Sequence, residues 1–176
     1  MAVSTLVETV AAETANTYVT LAEANQYFED RPGSTLWSSA TTDQKTQALL
    51  AACMDIDKLE FLYEIYDQST PQALQFPRTA STIMNNRHQL TDSSGDPIIP
   101  TDIKRAQMEQ AYHRLRLGSA EIEDMAAKGI VSKSIGDTSV SYSESLITAG
   151  AGATIGSMAA SFLRSWINRV REVRRG

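Results

Sequence analysis

Apolar positions recur at three- and four-residue spacing along most of this chain and switch to two-residue spacing in one short stretch, which predicts a mainly helical protein carrying one β-hairpin. At Thr20-Leu-Ala-Glu23 a hydroxyl precedes a carboxylate by three residues, the reciprocal pairing that caps a helix. A helix is expected from there to about Asp30, with Ala24, Tyr27 and Phe28 as its apolar contacts and Pro32-Gly33 as its stop. Thr41-Thr-Asp-Gln44 repeats the signal. Leu49, Ala52, Cys53, Ile56, Leu59 and Tyr63 then form a single stripe, predicted to be the central core helix. A short helical turn is expected through Ala73 and Leu74, before Phe76-Pro77-Arg78 forces an extended exit. Pro100-Thr101-Asp102 opens another helix, in which Met108, Ala111, Tyr112 and Leu115 share a face until Gly118 ends it.

Between these elements the pattern is weak or of another kind. Residues 1–16 show neither a period nor a cap and read as a flexible or partner-ordered arm. Residues 79–100, with Asn85-Asn86, Ser93-Ser94-Gly95 and two prolines, carry turn chemistry and predict a long surface loop. At about 130–143 the period becomes two: Val131, Lys133 and Ile135 precede Gly136-Asp137, and Val140 and Tyr142 follow. A lone hairpin is marginal in water, so its apolar face needs cover from the helical body or from a neighbouring subunit. Residues 148–157, TAGAGATIGS, have the composition of a linker. A C-terminal helix over 158–176 would place Met158, Phe162, Leu163, Trp166, Ile167, Val170 and Val173 on one face and Arg164, Asn168, Arg171 and Arg175 on the other. The expected organisation is therefore an arm (1–16), a small helical bundle with its hairpin (17–147), a linker and an extended arm ending in an amphipathic, basic helix.

Charge sharpens this picture. The chain of 176 residues has a formal charge of -5, yet residues 162–176 hold Arg164, Arg169, Arg171, Arg174 and Arg175 against Glu172 alone, which is +4 and leaves -9 for the rest. An acidic body argues against a protein coated by nucleic acid, while a basic end seeks phosphate or an acidic surface. Cys53 is the only cysteine, which excludes an intrachain disulfide and a cysteine-based zinc site and suits a reducing compartment. The first twenty residues contain Glu8 and Glu13 and no long apolar run, so no signal peptide is expected, and no transmembrane span is visible.

Catalytic chemistry is not apparent. His88 and His113 are expected at the surface, without a serine or cysteine nucleophile placed beside them. Asp55-x-Asp57 and Glu121-x-Glu123-Asp124 are poor metal sites, because neighbours two apart on a helix face different ways. Phosphate-loop, dinucleotide and zinc-protease motifs are absent. Cys53 lies on its apolar stripe and reads as a small buried residue. The expectation is a non-enzymatic protein with no cofactor and no metal.

Several segments in order carry a resemblance: Thr17-Tyr-Val-Thr-Leu-Ala-Glu-Ala-Asn-Gln-Tyr-Phe28, Arg31-Pro-Gly33, Trp37, Ala73-Leu-Gln-Phe-Pro-Arg-Thr79, Ile99-Pro100 leading into Ile103-Lys-Arg-Ala106, the hairpin from Gly129 to Tyr142, and Phe162-Leu-Arg-Ser-Trp-Ile167. The set resembles the head-tail connector (adaptor) proteins of tailed bacteriophages, a family also labelled DnaT-like single-stranded DNA-binding proteins. The loop from Ser81 to Gly95 is longer than that family's pattern, and the linker and arginine-rich ending are elaborated.

That resemblance implies a helical subunit of a homo-oligomeric ring of twelve copies in the virion neck, assembled in the host cytoplasm. The ring would bind the portal protein, meet the next neck or tail-completion protein, and let double-stranded viral DNA pass without sequence specificity. It makes Phe162, Leu163, Trp166, Ile167 and Val170 portal anchors, and Arg164, Arg171 and Arg175 contacts for acidic groups or phosphate. Val131, Lys133, Ile135, Val140 and Tyr142 become the contact between subunits. Three alternatives stay open: the terminal helix folds back on its own domain, it lies in a membrane interface, or the protein is a replication accessory that binds single-stranded DNA.

Overall fold

The computed structural model describes residues 3–66, 71–79, 89–117, 132–135, 138–141 and 155–167. Both capping boxes form. Thr20 Oγ1 accepts from the Glu23 amide at 3.0 Å and Glu23 returns a carboxylate oxygen to the Thr20 amide at 2.8 Å, opening α1 (Leu21–Asp30). Thr41 and Gln44 do the same for the helix of residues 42–57. Between these two helices stands α2 (Thr35–Ser39), which the sequence pattern did not announce. Five residues are too few to show a period, and α2 exists because Trp37 is buried there, stacked on Phe28 with ring centroids 4.4 Å apart and donating to Asn25 at 3.0 Å. The helix after it is α3 (Thr42–Asp57), followed by α4 (Thr101–Leu117) and α5 (Ser157–Leu163).

The expected stripe is buried at Leu49, Ala52, Cys53 and Ile56, and Leu59 remains buried just past the end of α3. The helix at the centre, however, is α4, which packs on α2, α3 and α5. Its buried face includes Ile103, Ala106, Met108 and Ala111 but also Gln107, Glu109, Gln110 and His113. A hydrophobic pattern cannot register such a face, because the polar side chains are buried only where specific partners satisfy them. Gln107 accepts from the Tyr18 amide at 2.9 Å and donates to Thr17 Oγ1 at 2.8 Å and the Leu49 carbonyl at 2.9 Å, tying three segments together. Glu109 pairs with Arg31 at 2.8 Å and accepts from the Tyr27 hydroxyl at 2.7 Å.

Residues 3–16, part of the segment expected as a flexible or partner-ordered arm, lie against this body. Asn16 closes the segment by accepting from the Val7 amide at 2.8 Å, and the Ala73 amide donates to the Ala12 carbonyl at 3.2 Å. Those bonds belong to the backbone and to a single asparagine, so no periodic signal marks them. Residues 73–75 bend without forming the expected helical turn. Of the expected surface loop, residues 89–100 form a tight turn in which Asp92 Oδ1 accepts from the amides of Ser94 and Asp96, with Gly95 at φ 89 and a bridge between Thr91 and Pro97. Residues 80–88 lie outside the described residues.

Two small antiparallel sheets complete the described fold. β1 (Glu64–Ile65) pairs with β2 (Arg78–Thr79). β3 (Ser132–Ile135) pairs with β4 (Thr138–Ser141) in the register Ser132↔Ser141, Lys133↔Val140, Ser134↔Ser139 and Ile135↔Thr138. The protein is thus mainly α with a two-stranded hairpin, as the pattern predicts.

Candidate functional site

The candidate site is the seat of the C-terminal segment, residues 155–167, which precedes the arginine-rich end in sequence. The segment enters at Gly156, whose amide donates to Gln110 Oε1 at 2.9 Å. A Cβ at this position would lie 2.8 Å from His113 Cγ, which is why a residue without a side chain stands here. Ile155, Ala159, Leu163 and Trp166 are all buried, a stripe of four-, four- and three-residue steps facing α4 and the core. The Trp166 indole meets Phe76 edge-on at 5.8 Å and Tyr63 at 6.4 Å. Its carbonyl accepts from the Leu62 amide at 2.8 Å, and Ile167 bridges Phe61 in antiparallel fashion.

This geometry corrects the expectation of a free amphipathic rod. Leu163 and Trp166 fill their own chain's core. Phe162 and Ile167 are half-buried against the same core, and Arg164 is exposed. Val170, Arg171 and Arg175 lie outside the described residues. Met158, expected on the buried face, is 51% exposed. The helix ends at Leu163 rather than running on, because the chain must turn through residues 164–166 to bring Ile167 beside Phe61. Tertiary pairing here overrides a helical period that is real in the sequence.

The wall behind the seat is built by Arg78, only 6% exposed. Its guanidinium lies over Phe61 and Phe76, 5.4 and 5.6 Å from their centroids, and donates to the Leu62 and Tyr63 carbonyls and the Gln75 side chain. Tyr63, at φ 70, is thereby held in a left-handed turn that aims the chain from the Phe61 bridge into β1. The motif Ala73 to Thr79 is in this way a structural clamp.

Asp55 and Asp57 are each engaged by other side chains or backbone groups. The two face different partners, as their spacing predicts: Asp55 is ion-paired with Arg114 and accepts from Gln110, while Asp57 accepts from the Tyr18 hydroxyl and the Gln75 amide. Burial raises the Asp57 carboxyl above the usual range, and the Tyr18 and Gln75 hydrogen bonds oppose that only in part. Burial likewise pushes the Cys53 thiol up, away from nucleophilic use. Among the described residues no group of three His, Cys, Asp or Glu side chains gathers as metal ligands. His113, expected at the surface, is buried at 8% exposure; burial, with Arg116 and Arg114 beside it, pushes its pKa down to about 4. Nothing in its sequence surroundings signals this, because the covering surface is a glycine 43 positions away. His88 and Glu121, Glu123 and Asp124 lie outside the described residues.

Of the hairpin residues assigned to subunit contact, Lys133, Ile135 and Val140 stand on β3 and β4, while Val131 and Tyr142 lie outside the described residues. Among the described residues the hairpin forms a sheet of two strands only.

The described residues form a mainly helical fold with its aromatic side chains turned inward: of the described aromatics only Tyr66 is exposed. No described helix is long and apolar enough to cross a membrane. The family described as "Putative DnaT-like ssDNA binding protein" matches residues 4–175, nearly the whole chain, and the protein belongs to that family. No curated protein and no solved structure matches it.

Proposed function

We propose that the protein is a non-enzymatic structural subunit of a DNA-handling ring, the head-tail connector of a tailed phage, which meets DNA through phosphate contacts at its arginine-rich end. The observation that carries the DNA-contact part of this reading is the division of the molecule. Positive charge is concentrated after residue 161, on a segment whose root at Trp166 and Ile167 is fixed in the body, while the described aromatics other than Tyr66 are buried or half-buried. Base stacking on exposed aromatics is what gives single-strand binders their grip. Arginines on an otherwise acidic chain instead offer a charge-driven contact that serves duplex and single strand alike. The ring and its place in the virion neck, assembled in the host cytoplasm, rest on the ordered resemblance of segments from Thr17 to Ile167. The two-stranded hairpin supports self-assembly, since such a ribbon needs cover to be stable in water. With Leu163 and Trp166 committed to the core, contact with a portal protein falls to Arg164 and to Val170, Arg171 and Arg175 beyond it.

The second reading, a single-strand binder in the literal sense, is favoured by the family's description. Fluorescence anisotropy with a labelled single strand and a duplex of equal length separates the two. The full chain is expected to bind both within a few-fold, and a chain ending at Ile167 to lose both. Removing Arg169, Arg171, Arg174 and Arg175 should also abolish a duplex salt dependence of log K on log salt of about -3 to -4. A strong single-strand preference that survives the truncation would reject the connector reading and place the binding surface on the body.

A further inference from the structure

The joint at which the C-terminal segment enters the body is unusual in what it buries. The His113 imidazole packs against the Gly156 backbone, with a Cβ at Gly156 reaching within 3.1 Å of Nδ1. Arg116 NH2 lies 3.3 Å from that same Nδ1. A guanidinium can only donate, so Nδ1 must accept and the neutral ring carries its proton on Nε2. Nε2 is itself buried and has no hydrogen-bond partner among the described residues. The ring is therefore a neutral spacer held by one donated bond and by the glycine pressed against it.

Adding a proton changes every one of these relations. The only nitrogen able to take it is Nδ1, which would turn from acceptor to donor in front of Arg116 and place a second positive charge beside it. The charged surroundings on α4 are Arg114 and Arg116, with Glu109 one turn earlier already engaged by Arg31 and Tyr27. From α3 comes Asp55, already bound to Arg114 and Gln110. The segment itself contributes no charge between Ile155 and Leu163. Among the described residues no unengaged anion stands ready to receive an imidazolium, and the element resting on the ring is the C-terminal segment.

We propose that residues 155–167 form a latch whose docking on α4 depends on a neutral His113, and that protonating this ring opens the latch ahead of the rest of the body. Opening uncovers the Ile155, Ala159, Leu163 and Trp166 stripe and frees the root of the arginine-rich end. The folded-state depression of His113 gives the direction. Docking is at full strength above the ordinary histidine value of 6.5 and is lost as pH falls toward about 4.

Hydrogen exchange followed residue by residue on the full chain tests this. After correction for intrinsic rates, the amides of Gly156, Ala160 and Trp166 and the Leu62 amide that bonds to Trp166 should lose protection about a hundredfold between pH 7 and pH 4, the factor set by that separation. The amides of α1 and α3 should keep theirs. His113→Gln, neutral at every pH and able to accept from Arg116, should flatten the latch profile. Equal loss of protection in α3 and the latch, or an unchanged profile in His113→Gln, would overturn the proposal. Should that variant fold poorly, the wild type still decides. The ring proton of His113 followed by NMR must titrate at the pH where latch protection falls, and separated midpoints would overturn it as well.

Discussion

Trp166→Ala is expected to lower the free energy of unfolding by about 3–5 kcal/mol, the cost of emptying a large aromatic site from a packed core. Trp166 is 2% exposed and shares its cluster with Phe61, Phe76, Ile103 and Leu163. It closes the core from above, where Phe76 and Tyr63 present their edges to it. A urea melt that shifts to lower midpoint with an unchanged slope would report this loss directly. Had the C-terminal segment been a free rod, the same substitution would leave the melt where it was and weaken only contact with a partner. For the same reason a chain ending before Ile155 should yield a less stable body with Leu59, Phe61 and Phe76 uncovered, and not an intact domain that has merely lost an arm.

Asp55→Ala should destabilise by a comparable amount, about 3–5 kcal/mol, through charge and not volume. Asp55 is fully buried, bonded to Arg114 through both carboxylate oxygens and to Gln110, and Gln110 in turn holds the Gly156 amide. Removing it strands a guanidinium that is itself mostly buried. Replacing both partners by apolar residues, Asp55→Leu with Arg114→Met, should recover most of the loss, because no unpaired charge then remains. If the double variant were no more stable than the single one, the pair would owe its importance to shape alone.

These two residues also mark what could be read in the chain and what could not. Thr20 with Glu23 and Thr41 with Gln44 announce their helices locally, since a capping box needs only four consecutive residues. The α3 stripe is legible because its partners are apolar and periodic. Asp55 sits inside that stripe yet gives no sign of burial: its partners, Gln110 and Arg114, are more than fifty positions away, and a polar residue is buried only when such a partner exists. Trp37 is likewise buried by stacking on Phe28 across the Pro32-Gly33 break, in a helix too short to show a period. In the last segment the period was legible but its phase was not. Taking Met158 and Phe162 as the inward face gives a continuous helix, whereas the seat selects Ile155, Ala159, Leu163 and Trp166 and then breaks the helix to pair Ile167 with Phe61. An apolar helical face that needs cover leaves open that the segment folds back on its own domain. Only the partners at Gln110, His113 and Leu62 choose it.

The most direct test of the ring is to image the purified protein by electron microscopy across a range of concentrations, with and without DNA. The account predicts closed rings of uniform size with an open centre, and their loss when Lys133, Ile135 and Val140 on the hairpin are changed together to aspartate. Single bodies at every concentration, whether or not DNA is present, would contradict it.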